Sequence, residues 1–252
     1  MFKVVKLIRI QNLSFSYTGR KVLEKINLSV PKGEFLGIIG PVGSGKSTLL
    51  LTMNGVIPNL LKGNFHGKVL VDGEDTRNTK VSELSGKIGI VLQDPNSQIF
   101  SMRVRDEVAF ALENRKLPKE EVRRRIEKYL ALFGLHSFIN EDPNNLSEGQ
   151  KQKLAIASTL AMEPEVILLD EPSSSLDFGA AVELYEFLTS LNKQGKTIVV
   201  VEHDTEILLE YARRVIVLKD GRIALDGAPK EILSNPKIEK YGLKIPCRLK
   251  RM

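Results

Sequence analysis

The segment GPVGSGKST, residues 40–48, restricts the fold of this 252-residue chain more than any other feature of its sequence. It matches the pattern G-x-x-x-x-G-K-[S/T], and it lies between the apolar run FLGIIG and a stretch with helical spacing. In that setting, backbone N–H groups converge on phosphate oxygens at the start of a helix, where the helix dipole favours negative charge. The segment therefore predicts a nucleoside triphosphate site in an α/β protein.

The residue types in this segment indicate how a triphosphate would be held. Gly43 and Gly45 allow the backbone to curl around the phosphates, and Lys46 is long enough to reach the β- and γ-phosphates. The Ser47 hydroxyl can ligate Mg²⁺. The residues expected to line the nucleotide here are Gly40, Pro41, Val42, Gly43, Ser44, Gly45, Lys46, Ser47 and Thr48.

A second apolar run, VILLDEP at residues 166–172, ends in two carboxylates. If VILLD is a buried strand, Asp170 lies at its carboxyl end, where ligands bind in open α/β sheets, and can hold Mg²⁺ through water. Glu171 can polarise an attacking water molecule. Apolar runs before Asp-Glu are common, but downstream of a phosphate-binding loop this one indicates a hydrolytic site.

The order of apolar patterns predicts how the chain is organised. Strand-like runs dominate the first third, and residues from about 104 to 133 carry apolar side chains at helical spacing. Buried strands then alternate with amphipathic helices. This order predicts a parallel sheet covered on both faces, with a helical insertion between two parts of the sheet.

Composition excludes several classes of protein. The 37 basic and 31 acidic residues leave a net charge of +6, which tolerates anionic partners but selects none. The single cysteine, Cys247, excludes an internal disulfide framework and a Cys-rich zinc module. Neither an apolar run long enough for a bilayer nor the apolar centre of a signal peptide is present, so we expect a soluble intracellular protein.

The decisive segment is LSEGQ, residues 146–150, which starts twenty residues before VILLDEP. Together with residues 40–48, Gln93, the segment Ser175–Asp177 and His203, it resembles the motif set of ATP-binding cassette (ABC) ATPases, from about residue 7 to 234. The resemblance implies an α/β P-loop NTPase fold, with a mixed sheet core, an antiparallel β subdomain and a helical subdomain at about 94–163. It places an ABC ATPase domain at 1–234. The stretch 235–252 is basic and broken by prolines, which predicts a loosely held tail that is solvated rather than bound to lipid.

The same resemblance implies roles for individual residues. Tyr17 would stack on adenine, although an ordinary strand aromatic is the alternative reading. His203 would bridge the γ-phosphate and the catalytic centre, and Gln93 would contact Mg²⁺ and sense the partner subunit. The implied catalytic residues are Glu171, His203, Gln93 and Lys46, and the implied Mg²⁺ ligands are Ser47, Gln93 and Asp170.

ABC ATPases work as dimers, so the resemblance also implies residues that act across an interface. Ser147, Gly149 and Gln150 would contact ATP held by the opposite protomer, and Asp177 would cross the interface. The sequence departs from the family pattern with Glu148 in place of glycine, Lys153 in place of arginine, Ser175 in place of glycine or alanine, and Phe178 in place of proline. None of these departures removes a group expected to touch phosphate or metal.

The segment DPNSQIF, Asp94–Phe100, looks like the ATPase subunits of energy-coupling-factor (ECF) transporters. That likeness implies ATP hydrolysis that powers uptake of a small solute, a metal ion or a vitamin. The implied partners are a second ATPase, identical or related, a transmembrane coupling subunit that docks on this segment, and a substrate-binding membrane protein. The protein would be peripheral at the cytoplasmic face of the membrane and would bind no nucleic acid.

Two other readings have less support. The first is a soluble ABC ATPase that moves no solute. Among such proteins, an Fe–S-assembly ATPase is the hardest to distinguish from a transport ATPase, because only the DPNSQIF segment argues against it. A DNA-repair member would split the cassette with a coiled coil, and a translation member would carry two cassettes. The second is a P-loop kinase that phosphorylates a metabolite, but neither LSEGQ nor His203 would have a role in such an enzyme.

Overall fold

The computed structural model describes residues 6–250, which form two sheets and a group of helices. The strands are β1 (Lys6–Ser16), β2 (Lys21–Pro31), β3 (Phe35–Ile39), β4 (Asn64–Val71), β5 (Glu74–Asp75), β6 (Ile88–Val91), β7 (Val166–Asp170), β8 (Thr197–Val201), β9 (Arg214–Lys219) and β10 (Arg222–Gly227). The helices are α1 (Lys46–Met53), α2 (Val56–Asn59), α3 (Val81–Leu84), α4 (Val104–Asn114), α5 (Lys119–Leu132), α6 (Glu148–Ala161), α7 (Phe178–Lys193), α8 (Thr205–Tyr211), α9 (Pro229–Leu233) and α10 (Lys237–Lys240).

The central sheet has the strand order β10-β9-β3-β8-β7-β6. The five strands from β9 to β6 are parallel, and β10 pairs with β9 as an antiparallel edge strand. Strands β3, β7 and β8 are buried along their whole length, which explains their continuous apolar sequences. Because the parallel strands end at one edge, the residues that follow β3, β6, β7 and β8 meet there.

The second sheet, in the order β2-β1-β4-β5, is antiparallel throughout. One of its faces packs on the central sheet and on α1, where Leu13 and Ile26 join Leu36, Leu50 and Val199 in one buried cluster. This sheet places the end of β1 beside the phosphate-binding loop. The sequence-based expectation of a mixed core sheet with an antiparallel β subdomain and helices is confirmed.

The helical segment between β6 and β7 follows its sequence signals closely. Pro118 is the residue before α5, and Gly134, with φ +67°, follows the end of that helix. The apolar faces of α4 and α5 pack on α6, with Val108, Leu112 and Leu130 fully buried. These helices therefore stack on α6, whose amino end carries the LSEGQ segment.

The expectation of a loosely held tail after residue 234 is wrong for the part of it that the structure describes. Ile238 is fully buried and Leu243 is 8% exposed, and both belong to the main core cluster. The Cys247 N–H donates to the Glu206 carboxylate, and Arg248 pairs with Glu210. Prolines interrupt this stretch without preventing its apolar side chains from packing against the domain. Arg251 lies outside the described residues.

Candidate ATP-hydrolysing site

The phosphate-binding loop joins β3 to α1 at the edge where the parallel strands end. Gly43 has φ +77° and Gly45, the residue that caps α1, has φ +101°, a region that L side chains rarely adopt. A Cβ atom on Gly45 would also lie 2.9 Å from the carbonyl oxygen of Val22. The turn therefore requires glycine at both positions. It leaves the backbone N–H groups at the start of α1 free to face an anion.

Lys46 is buried inside this loop. Its Nζ donates to the carbonyl oxygens of Gly40 at 2.9 Å and Pro41 at 3.2 Å. Burial lowers the pKa of Lys46, and the charges of Glu171 and Asp170 oppose that shift. The loop thus positions the ammonium group near two carboxylates, and the phosphates of a nucleotide would supply further negative charge that offsets its desolvation.

A cavity of about 340 Å³ opens on the loop and collects most of the residues predicted from sequence. The Tyr17 and Thr48 hydroxyl oxygens lie 3.4 Å apart on its wall, and the Tyr17 ring packs edge-on against Phe15. Arg20 and Val22 line the cavity without having been predicted, since they belong to no motif. The lining residues are Tyr17, Arg20, Val22, Val42, Gly43, Gly45, Lys46, Ser47, Thr48, Gln93, Glu171 and His203.

Glu171 is at the centre of the polar contacts in this cavity. Its Oε2 accepts a 2.6 Å hydrogen bond from Gln93 Nε2, and its Oε1 lies 2.6 Å from His203 Nε2. These residues follow three neighbouring strands, β6, β7 and β8. Glu171 has φ +49°, an uncommon conformation for a residue with a side chain, and such strain is typical of functional sites.

Asp170, the last residue of β7, has an unsatisfied oxygen. The residue is 4% exposed, and its Oδ1 is buried without a hydrogen-bond partner among the described residues. Burial raises the pKa of Asp170, while a hydrogen bond from the Ser47 side chain opposes that shift. A carboxylate beside a hydroxyl is an oxygen donor set that suits Mg²⁺, so these two residues fit the predicted metal.

The LSEGQ residues lie outside this cavity and cap a helix of their own chain. Ser147 Oγ accepts from the Gln150 N–H at 3.3 Å, and the Gln150 Oε1 accepts from the Ser147 N–H at 2.8 Å. Asp177 caps α7 by accepting from the Ala180 N–H at 2.9 Å. Within one chain the predicted nucleotide ligands Ser147, Gly149, Gln150 and Asp177 therefore do not reach the cavity that holds Lys46.

The family model for ABC transporters matches residues 23–174, more than half of the chain. The chain belongs to the ABC transporter family. It has the ABC ATPase fold, and the predictions of family, fold class and ATPase activity are confirmed.

Known relatives include ECF proteins. A Pyrococcus abyssi protein, assigned by name to the ABC transporter ATP-binding proteins, is 49% identical over 250 residues, which are 98% of this chain and 89% of the relative. The energy-coupling factor transporter ATP-binding protein EcfA of Methanocaldococcus jannaschii is 41% identical over 244 residues, with 95% and 86% covered.

Solved structures agree with this relationship. The cbiO1 protein of Clostridium perfringens, described as part of the ABC transporter complex cbiONQ, has a TM-score of 0.79 and 36% identity, with 98% of each chain covered. An ATP-binding cassette solved as a dimer with ADP and phosphate also has a TM-score of 0.79, at 34% identity, with 88% of this chain and 98% of that chain covered. None of the helices within residues 6–250 has the length and apolar character needed to cross a membrane.

Glu148 departs from the ABC pattern, and its side chain is held by the residues around it. Its Oε2 accepts from Asn96 Nδ2 at 3.1 Å and its Oε1 from Lys151 Nζ at 3.0 Å, while Lys151 also donates to Asn96 Oδ1 at 3.0 Å. The carboxylate therefore faces the DPNSQIF segment, and exposed contacts of this kind contribute little stability.

Replacing Glu148 with glycine is therefore expected to change ATP hydrolysis by less than about threefold, because the lost contacts are exposed and weak. Steady-state phosphate release with purified protein measures the effect. A large gain in ATP affinity in Glu148→Gly would contradict this expectation, since it would mean that the carboxylate repels the nucleotide phosphates.

Proposed function

We propose that this ATPase is the energy-coupling subunit of an ECF-type uptake transporter for a small solute, a metal ion or a vitamin. It acts with a second ATPase copy or paralogue, a transmembrane coupling subunit and a substrate-binding membrane protein, at the cytoplasmic face of the membrane. The likeness to an EcfA protein and to a subunit of a cbiONQ complex supports the proposal. The surface around the DPNSQIF segment is the observation that carries it.

We assign the reaction to the residues of the cavity. Lys46 and the loop N–H groups bind the phosphates of ATP, and Tyr17 contacts the adenine. Glu171 accepts a proton from the attacking water, and His203 and Gln93 hold the Glu171 carboxylate in place. Mg²⁺ held by Ser47, Gln93 and Asp170 would neutralise phosphate charge when bound. Ser147, Gly149 and Gln150 of a second protomer complete each site.

The DPNSQIF segment runs from the nucleotide site to an apolar outer surface. Gln93 contacts Glu171. Gln98, five residues later, contacts the end of β6 and α6: its Oε1 accepts from the Leu92 N–H at 3.1 Å, and its Nε2 donates to the Ile90 carbonyl at 3.3 Å and to Thr159 Oγ1 at 3.1 Å. Gln98 is therefore a poor choice for probing the surface by mutation, because changing it would disturb the strand next to Gln93.

An exposed apolar surface follows directly. Phe100 is 63% exposed, Met102 83% and Phe110 48%, and the two phenylalanine rings contact edge-on with centroids 4.6 Å apart. The buried Glu107 carboxylate accepts from the Phe100 N–H at 3.1 Å and the Ser101 N–H at 2.9 Å, which fixes the backbone that presents these side chains. A groove of about 540 Å³ adjoins them. Exposed apolar patches of this kind mark protein contact sites, and an apolar helix of a membrane subunit suits the groove.

Replacing Met102 with glutamate is expected to weaken association with the membrane subunits by at least about tenfold, because a charge would be desolvated in the contact. ATP hydrolysis by the isolated protein should be unchanged, since Met102 does not line the nucleotide cavity. The measurement is co-purification from detergent-solubilised membranes of cells that co-express the candidate membrane subunits, with ATPase assays of the same preparations.

Leu60→Glu is the matched control, because Leu60 is 66% exposed and does not belong to the apolar surface formed by Phe100, Met102 and Phe110. Equal loss of co-purification in both variants would show that any surface charge disturbs the complex. If wild-type protein does not co-purify with any membrane subunit, a soluble ABC ATPase such as an Fe–S-assembly protein becomes the better assignment.

A further inference from the structure

Glu202 is a buried acid beside the nucleotide site that belongs to none of the ABC motifs named above. It follows β8 directly, precedes His203 and is 3% exposed. Within the described residues, 6–250, no lysine, arginine or histidine forms an ion pair with it. Burial of a carboxylate costs folding free energy unless hydrogen-bond donors satisfy it, so the contacts of Glu202 indicate what it does at this position.

Three donors surround this carboxylate, two from other segments of the chain and one from the next residue. Its Oε1 accepts from the Ser173 hydroxyl at 2.7 Å and from the Tyr185 hydroxyl at 2.6 Å. Its Oε2 accepts from the backbone N–H of His203 at 3.2 Å. Tyr185 is fully buried on α7 and stacks on Tyr211 with ring centroids 5.3 Å apart. The network is therefore satisfied and anchored to the packed core.

The charged state of Glu202 depends on these contacts. Burial raises the pKa of Glu202, and the hydrogen bonds from Tyr185, Ser173 and the His203 backbone oppose that shift. Such donors act on a carboxylate more strongly than on a neutral acceptor, because charge-assisted hydrogen bonds are shorter and stronger.

The contacts of Glu202 join the segments that carry the reacting pair. Ser173 lies two residues after Glu171, whose left-handed backbone is otherwise tied to β8 by a 3.0 Å hydrogen bond from its N–H to the Val201 carbonyl. The His203 N–H fixes the peptide from which the imidazole reaches Glu171 at 2.6 Å. One carboxylate thus contacts the Ser173 side chain on the Glu171 side and the backbone N–H on the His203 side.

We propose that Glu202 is a positioning residue for ATP hydrolysis, which holds Ser173 and the His203 peptide so that Glu171 and His203 keep their mutual geometry. The inference rests on the proposed roles of those two residues.

Removal of the Ser173 hydroxyl tests this role with little risk to folding, because Ser173 is only half-buried. In Ser173→Ala we expect kcat to fall by about tenfold, with KM for ATP changed by less than about twofold, because a misplaced reacting group costs rate more than ground-state binding. Ser173→Thr keeps the hydroxyl and should restore kcat to within about threefold of wild type.

Ser190→Ala is the matched control. Ser190 is also half-buried, and its hydroxyl donates to the Phe187 carbonyl at 2.7 Å, but it lies near the far end of α7. The melting temperature of both variants should fall by the same few degrees at most. Equal kcat in Ser173→Ala and Ser190→Ala would overturn the proposal, because Ser173 would then be a structural contact only.

A double-mutant cycle with Glu202→Ala tests the path through Glu202. If Ser173 acts through this carboxylate, Ser173→Ala causes no further loss of kcat in the Glu202→Ala background, and additive losses would overturn the inference. Glu171→Gln measured in the same assay distinguishes a failure of the proposed role of Glu171 from a failure of the proposed role of Glu202. Wild-type turnover in Glu171→Gln would remove the proposed role of Glu171, whereas inactive Glu171→Gln with fully active Ser173→Ala would remove only the role of Glu202.

Discussion

Replacing Glu171 with glutamine is expected to lower steady-state ATP hydrolysis by about 10²- to 10⁴-fold, the usual cost of removing a general base. The amide keeps the size of the side chain, so it can still contact Gln93 and His203, which lie 2.6 Å from the two carboxylate oxygens. It cannot accept a proton from water. Binding of Mg-ATP should be retained, because Lys46 and the phosphate-binding loop are unchanged.

Two measurements check this prediction, phosphate release at saturating ATP and gel filtration with ATP present. Slow hydrolysis should trap the ATP-bound dimer, so Glu171→Gln should elute as a dimer under conditions where wild type does not. Glu165→Gln is the matched control, because Glu165 precedes the opposite end of β7 and forms an exposed ion pair with Lys32. Turnover at the wild-type rate in Glu171→Gln would show that another group activates the water.

Replacing Gly149 with valine is expected to be the second most damaging of these changes, with loss of ATPase activity of at least about a hundredfold. A Cβ atom at this position would lie 2.9 Å from the backbone oxygen of Ser175. A backbone oxygen cannot rotate away as a side chain can, so α6 and the segment before Asp177 must separate. Both elements are proposed to face the nucleotide of the opposite protomer.

Nucleotide binding and hydrolysis should respond differently to Gly149→Val. A fluorescent ATP analogue should bind the isolated chain with about wild-type affinity, because Gly149 lies outside the cavity that contains Lys46. Glu148→Gly is the control for a change at the neighbouring position of the same helix. If Gly149→Val hydrolyses ATP as fast as Glu148→Gly, the approach of α6 to Ser175 is not required for activity.

Local sequence patterns were sufficient for much of the fold and for part of the site. The phosphate-binding loop needs glycine at positions 43 and 45, whose φ angles are +77° and +101°, and both glycines are present in the segment GPVGSGKS. The buried strands β3, β7 and β8 are read from uninterrupted apolar runs. Asp170 was expected at the carboxyl edge of the sheet and lies there with Glu171 and with His203, whose role was implied by the family resemblance.

Other features depend on contacts that local patterns do not encode. The C-terminal stretch was predicted to be loose because it is basic and contains prolines, yet Ile238 and Leu243 pack into the core. The charge pattern describes the exposed side of this stretch, while the structure shows that its few apolar residues meet a complementary surface on the domain.

The sequence by itself determined the family, the phosphate-binding loop and the residue types available for chemistry, because these follow from short patterns in which each residue constrains its neighbours. The tertiary structure decided which side chains meet. Gln93, Glu171 and His203 come together only because β6, β7 and β8 are adjacent in the sheet. Glu202 gains the Ser173 and Tyr185 hydroxyl donors because the packed chain brings two other segments to it. Such contacts depend on strand order and packing, which are properties of the whole chain rather than of any one stretch of it.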